Sequence, residues 1–78
     1  MTRNELYKFI EGILVEKFEV EKSKISMGAN LYEHLEIDSI DAVDLVVHLK
    51  EFTGKKIQPE QFKEVRTVED VIEAIMTL

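Results

Sequence analysis

Among the side chains able to do chemistry, Ser39 has the most informative setting. Asp38-Ser39-Ile40-Asp41 closes a long polar stretch and opens the most apolar helical pattern in the chain, which places a serine hydroxyl in the first turn of a central helix. A helix start leaves backbone N–H groups unpaired and carries partial positive charge, and both features favour a phosphate there. Ser39 is therefore a candidate anchor for a phosphate ester. The same four residues also read as ordinary helix initiation, because Asp and Ser are favoured caps and Asp38 with Asp41 three positions on approximates a capping box.

Other groupings carry less. Asp44, His48 and Glu51 share one helical face at three- and four-residue intervals, but a metal would need further ligands, and a solvated charged face accounts for them. No serine stands near a candidate general base in sequence, no glycine-rich phosphate loop is present, and no paired-carboxylate cleft can be argued. The chain is expected not to be an enzyme and to hold no metal. It contains no Cys, so disulfides and thiolate metal sites are excluded and any thiol chemistry must come from an attached group.

The elements that must position Ser39 follow from periodicity. Thr2 and Glu5 form a capping-box signature, and Leu6, Phe9, Ile10, Ile13 and Leu14 recur at helical spacing, so a first amphipathic helix is expected from Thr2 to about Phe18. From Glu19 to Ile37 no period is sustained. A connection this long needs anchoring, which Val20, Ile25, Met27, Leu31, Leu35 and Ile37 are spaced to supply; Asn30 with Glu33 caps one short turn across Leu31 to Leu35. The second helix is predicted from about Ser39 to Phe52 or Thr53, stopping before Gly54.

On a helical wheel the polar arc of that second helix is narrow, holding Asp41, Asp44, His48 and Glu51 within about 80°. Ala42, Leu45, Val46, Leu49 and Phe52 are assigned to the core. Ile40, Val47 and Val43 border the acidic arc and are expected to be partly exposed, giving an apolar strip beside an acidic one. Pro59 opens a short helix to about Glu64, with Ile57, Phe62 and Val65 as its few apolar residues. Thr67 and Asp70 cap a last helix whose buried stripe is Val68, Val71, Ile72, Ile75 and Leu78. The fold class expected is all-α: a small three-to-four-helix bundle with a long first loop and a short third helix, forming a single domain over residues 1–78.

Asp38-Ser39-Ile40-Asp41, followed by Val43, Asp44, Leu45 and Val46, resembles the prosthetic-group site of the acyl carrier protein family. The nearest relatives it resembles are the small free-standing carriers of bacterial type II fatty-acid and polyketide systems, whose pattern reads Asp-Ser-Leu-Asp. The likeness covers essentially the whole chain, since helix lengths, the long first loop and the final helix also fit. It implies that Ser39 carries 4′-phosphopantetheine, taken from coenzyme A by a phosphopantetheinyl transferase, with Asp38 orienting the helix start. A growing or transferred acyl group would then be held as a thioester and shuttled between enzymes of fatty acid, lipid or polyketide biosynthesis.

The resemblance further implies that Ile40, Asp41, Asp44, Val47 and Glu51 meet acyl synthases and transferases with basic docking patches. Leu45, Val46, Leu49, Phe62 and Ile72 are the candidates for lining an acyl cleft. Two departures stand out: Glu36 replaces the family's common Gly, and Lys50, Lys55, Lys56 and Lys63 occupy a region that is often strongly acidic. An aminoacyl or peptidyl carrier and an unmodified helical interaction domain remain as alternative readings.

Charge and length set the remaining bounds. Sixteen acidic against ten basic residues give a formal charge of −6, which disfavours nucleic acid and anionic membranes and suits basic protein partners. No apolar run approaches a membrane span, and Met1-Thr2-Arg3-Asn4-Glu5 does not resemble a signal peptide, so a soluble, cytoplasmic protein is expected; it is also expected to be a monomer. At 78 residues the buried fraction is modest, and so should be the stability.

Overall fold

The computed structural model describes residues 2–78, the side chain of Pro59 left aside. Four α-helices follow in order: α1 Arg3–Lys17, α2 Ser39–Thr53, α3 Pro59–Phe62 and α4 Val68–Met76. Helix α1 starts where its capping box forms: the Glu5 amide donates to Thr2 Oγ1 at 3.1 Å, and the Thr2 amide donates to Glu5 Oε1 at 3.0 Å. Leu6, Ile10 and Leu14, spaced by four, put one fully buried row on the core. Helix α4 repeats the device with Thr67 and Asp70, and buries Val68, Val71, Ile72 and Ile75.

The long connection between α1 and α2 is fastened rather than loose. A short 3-10 turn at Lys22–Lys24 interrupts it, and Val20, Ile25, Ala29, Leu31, Leu35 and Ile37 are buried, with Met27 packed half-buried against them. Its middle is tied to the start of α4 through backbone bonds: Leu31 N–H donates to Arg66 O at 2.8 Å, Val68 N–H to Ala29 O at 3.1 Å, and Glu69 N–H to Met27 O at 2.9 Å. An isolated antiparallel bridge pairs Asn30 with Thr67. The single turn expected at Leu31 to Leu35 is present and capped, Asn30 Oδ1 accepting from the Tyr32 and Glu33 amides at 2.9 Å each.

Helix α1 packs against both α4 and α2, whereas α3 leans mainly on α4. Arg3 pairs across the surface with Glu69 and Glu73 of α4. Such exposed pairs contribute little, so burial holds the bundle together.

Three expectations about packing are corrected. Phe52 lies at the far end of α2, beyond the core; it is 46% exposed and stacks on Phe9 of α1 with ring centroids 4.0 Å apart. Val46 is half-buried at the core's edge rather than in it. Leu78 is 43% exposed because α4 ends at Met76 with Thr77 as its cap, leaving Leu78 past the last turn. The short third helix also stops at Phe62, two residues before the expected end, and the following bonds from Glu64 to Gln61 and Val65 to Phe62 tighten the chain into turns.

Candidate functional site

Asp38 takes extended backbone angles and turns its carboxylate back over the first turn of α2, where Oδ1 accepts from the Ile40 and Asp41 amides at 2.9 Å each. The Ala42 amide closes the first helical bond on the Asp38 carbonyl at 2.9 Å. Asp41 gives back no side-chain bond in this cap, so the capping box expected here is half formed. This changes the electrostatics of the site. Two of the amides that could have received a phosphate, those of Ile40 and Asp41, are already bonded to a carboxylate, which leaves less of the helix start open to a phosphate ester on Ser39.

Ser39 is the first residue of α2 and is exposed. It stands at one border of an open groove of about 530 Å³. Ser39, Ala42, Val43, Val46 and Val47 form the α2 wall, and Lys56, Ile57, Phe62 and Lys63 form the wall contributed by α3 and its flanks; Tyr32 contributes from the long connection. The groove lies between α2 and the segment that carries α3, whose main helix contact is with α4. From Ser39 to Val47 the α2 wall runs about 12 Å at 1.5 Å per residue.

The expected docking residues form a continuous outer strip. Ile40 is 73% exposed and Val43 62% exposed, Val47 is also exposed, and Asp44 and Glu51 stand on the solvent side with Asp41 half-buried beside them. Of the residues named for an acyl cleft, Val46 and Phe62 line the groove. Leu45, Leu49 and Ile72 do not; they are fully buried in the closed core between helices, because they sit on the inward side of their helices rather than on the side that α3 leaves open. Ala42, Val43, Ile57 and Tyr32 also line the groove, beyond the residues expected from the sequence. Val43 had the right wheel position next to Val47, but only the placement of α3 makes a wall of it.

Glu36, two residues before the cap, has φ 56°, in the left-handed region that favours glycine. The residue that replaces the family's Gly therefore keeps a backbone shape that a Gly would adopt without strain. The Ile37 amide then reaches back to Leu31 O at 2.9 Å, which fixes the approach to Asp38.

The arrangement fits a covalently attached arm: an exposed hydroxyl on a rigid helix start, bordered by an apolar recess, in a chain with no thiol of its own. When attached, 4′-phosphopantetheine supplies that thiol on a flexible tether. Residues 8–75 match the family described as phosphopantetheine attachment site. The whole chain is 47% identical over 78 residues to acyl carrier protein 2 of Ralstonia nicotianae, spanning 100% of this chain and 96% of that protein. It is 32% identical over 75 residues to the acyl carrier protein of Coprothermobacter proteolyticus, covering 96% of this chain and 92% of that one. Over 76 residues it is 32% identical to the acyl carrier protein of Rubrobacter xylanophilus, at 97% and 94% coverage. With its four-helix architecture and a match over nearly its full length, the chain belongs to the acyl carrier protein family, a phosphopantetheine-bearing carrier.

Proposed function

We propose that Ser39 is the residue that takes the phosphopantetheine arm. The observation that carries the proposal is the exposed hydroxyl at the first turn of α2, opening onto the groove. In the transfer, Ser39 Oγ attacks the phosphorus of coenzyme A that bears the pantetheine, a phosphodiester forms, the hydroxyl proton leaves, and the adenosine bisphosphate portion departs. A partner phosphopantetheinyl transferase performs this step. Residues 1–78 act as one carrier domain that catalyses nothing itself, working as a monomer in the cytoplasm.

Asp38 serves by holding the helix start in shape, through its two bonds to backbone amides, and not by touching the arm. Ile40, Asp41, Asp44, Val47 and Glu51 make the strip that acyl synthases and transferases read, apolar contact supplying affinity and the carboxylates steering basic patches. The groove between α2 and α3 shelters the cargo, in place of a cleft at Leu45, Leu49 and Ile72. The route served is fatty acid, lipid or polyketide synthesis.

Incubation with coenzyme A and a broad-specificity transferase should add one arm, read by intact mass, and Ser39→Ala should take none. An unmodified wild type would leave a helical interaction domain, with Ser39 only part of a cap. Equal modification of the two proteins would place the arm on another residue.

A further inference from the structure

The apolar groove beside Ser39 is bordered by charged residues of one sign only, and that sign runs against the rest of the molecule. The chain holds sixteen Asp and Glu against ten Lys and Arg, yet among the described residues no carboxylate lines this groove, while Lys56 and Lys63 both do. Between them the recess is apolar, with Val46, Val47, Ile57 and Phe62 on its walls. Both lysines belong to the wall opposite the helix that bears Ser39, one before α3 and one directly after it. An alkyl chain alone would use the apolar walls and leave both cations without a partner in the ligand. Lysine stems can cover apolar surface with their heads in water, but that use does not explain why every carboxylate is kept out.

Resting on the reading that Ser39 bears the arm, we infer that this groove takes acyl chains that carry a carboxylate at or near their far end, the chain lying on the apolar walls and the carboxylate meeting Lys56 and Lys63. The arm's own phosphodiester is the other anion at hand, but it is fixed at Ser39 between Asp38 and Asp41, on the α2 side of the groove. A carboxylate at the end of the cargo is free to lie across the recess. The volume, about 530 Å³, is within the range of small-ligand pockets, about 300–1,000 Å³. Partial enclosure by apolar walls strengthens the pairing relative to open water.

The test compares the chain loaded through the transferase with three arms: unacylated, bearing a medium-length saturated acyl group, and bearing the acyl group of the same length with a terminal carboxylate. Intact mass establishes loading first. The carboxylated form should melt about 4–8 °C above the neutral acyl form at low salt. That gap should close in the Lys56→Ala, Lys63→Ala double variant and shrink at high ionic strength. Both lysines are exposed, so the unloaded double variant should melt with the unloaded wild type, and its melt is the folding control.

Equal melting of the two acylated forms overturns the inference and leaves the carrier reading standing. If the unacylated arm gains as much from the lysines as the carboxylated cargo does, the phosphodiester is the anion they serve and the inference again falls. A chain that takes no arm at all overturns the attachment reading and this inference with it.

Discussion

At the start of α4, Thr67 and Asp70 bond reciprocally and the long connection lays backbone hydrogen bonds across them, whereas at the start of α2 Asp38 caps alone and leaves Ser39 and Ile40 facing solvent. Both starts use short polar side chains on free amides, so the capping chemistry does not distinguish them. Their surroundings do. The first turn of α4 is tied to residues 27–31 by backbone hydrogen bonds, with Val68 fully buried and Asp70 half-buried at the edge. The first turn of α2 has the core on one side only, with the groove towards the α3 segment on another. The proposed attachment at Ser39 would use this division: an origin for the arm held by the inward face of α2, and an outward face exposed to solvent.

The largest expected effect cuts across the two faces of α2. Leu49 is buried to 1% exposure, so Leu49→Ala should cost about 2–5 kcal/mol of stability. Ile40→Ala removes a side chain that has little core contact and should stay within about 0.5 kcal/mol of wild type. Urea denaturation of both variants measures the contrast. Comparable losses would mean that the outer strip is structural and is not available to partners.

Next comes the docking strip itself. Asp44→Lys should weaken association with a cognate acyl-handling enzyme by about 1–3 kcal/mol, since it reverses a charge contact and introduces repulsion. Ile40→Ala should also weaken binding, through lost contact area, while leaving the fold intact. Raising the salt should slow the wild type's association more than the Asp44 variant's. Binding kinetics at two ionic strengths, with circular dichroism as the folding control, decide this. Unchanged kinetics for Asp44→Lys would move recognition away from α2 and towards the Lys55 and Lys56 segment.

The third prediction concerns the covered helix start. Backbone donation from Arg66 is the main cause that holds the Asp70 carboxyl below the usual carboxylate range; the Thr67 amide and hydroxyl add to it, and partial burial opposes it. A carboxylate whose folded pKa is depressed stabilises the fold fully above its unfolded pKa, and the gain is lost as pH falls through the lower folded value. The stability advantage of wild type over Asp70→Asn should therefore be flat from neutral pH down to the ordinary carboxylate range, then vanish below it. The site is largely solvent-facing, so the gap should be modest. Urea melts at a series of acidic pH values measure it, and a gap that widened as pH fell would contradict the assigned cause.

Much of this contrast was legible in the sequence because capping and amphipathic spacing are local. Thr2 with Glu5, Thr67 with Asp70, the stop at Gly54 and the exposure of Ile40, Val43 and Val47 all follow from residues within one or two turns of each other. The groove was not legible. Its far wall depends on how a short helix with few apolar residues settles, and nothing in residues 56–63 states that it will rest on α4 in preference to α2. The same limit applies to Leu45, Leu49 and Ile72, which lie off the open groove and in the core, since an inward wheel position cannot tell a closed core from an open recess. Phe52 was assigned to the core for want of its partner, Phe9, which lies on another helix. The stitching of residues 27–31 to α4 is likewise long-range and leaves no periodic trace.

The smallest effect concerns the bend that leads into the open helix start. Glu19 and Glu36 share a left-handed backbone at φ 56°, and each is followed by a buried residue whose amide reaches back six positions: Val20 to Leu14 O at 3.0 Å, Ile37 to Leu31 O at 2.9 Å. An L-residue in this conformation costs about 1–2 kcal/mol. Glycine removes that cost but gives up about 0.5–1 kcal/mol through the greater freedom of its unfolded chain. Glu36→Gly should therefore raise stability by about 0–1.5 kcal/mol, and Glu19→Gly by a similar amount, since the two bends are built alike. Replacing either Glu also removes a negative charge from an acidic protein, so urea melts should be run at low and high salt. A gain that persists in high salt comes from the backbone, whereas one that disappears comes from relieved repulsion. A loss of stability at Glu36 alone would mean that its side chain supports the approach to Asp38, and the two bends would then differ in function although they share a geometry.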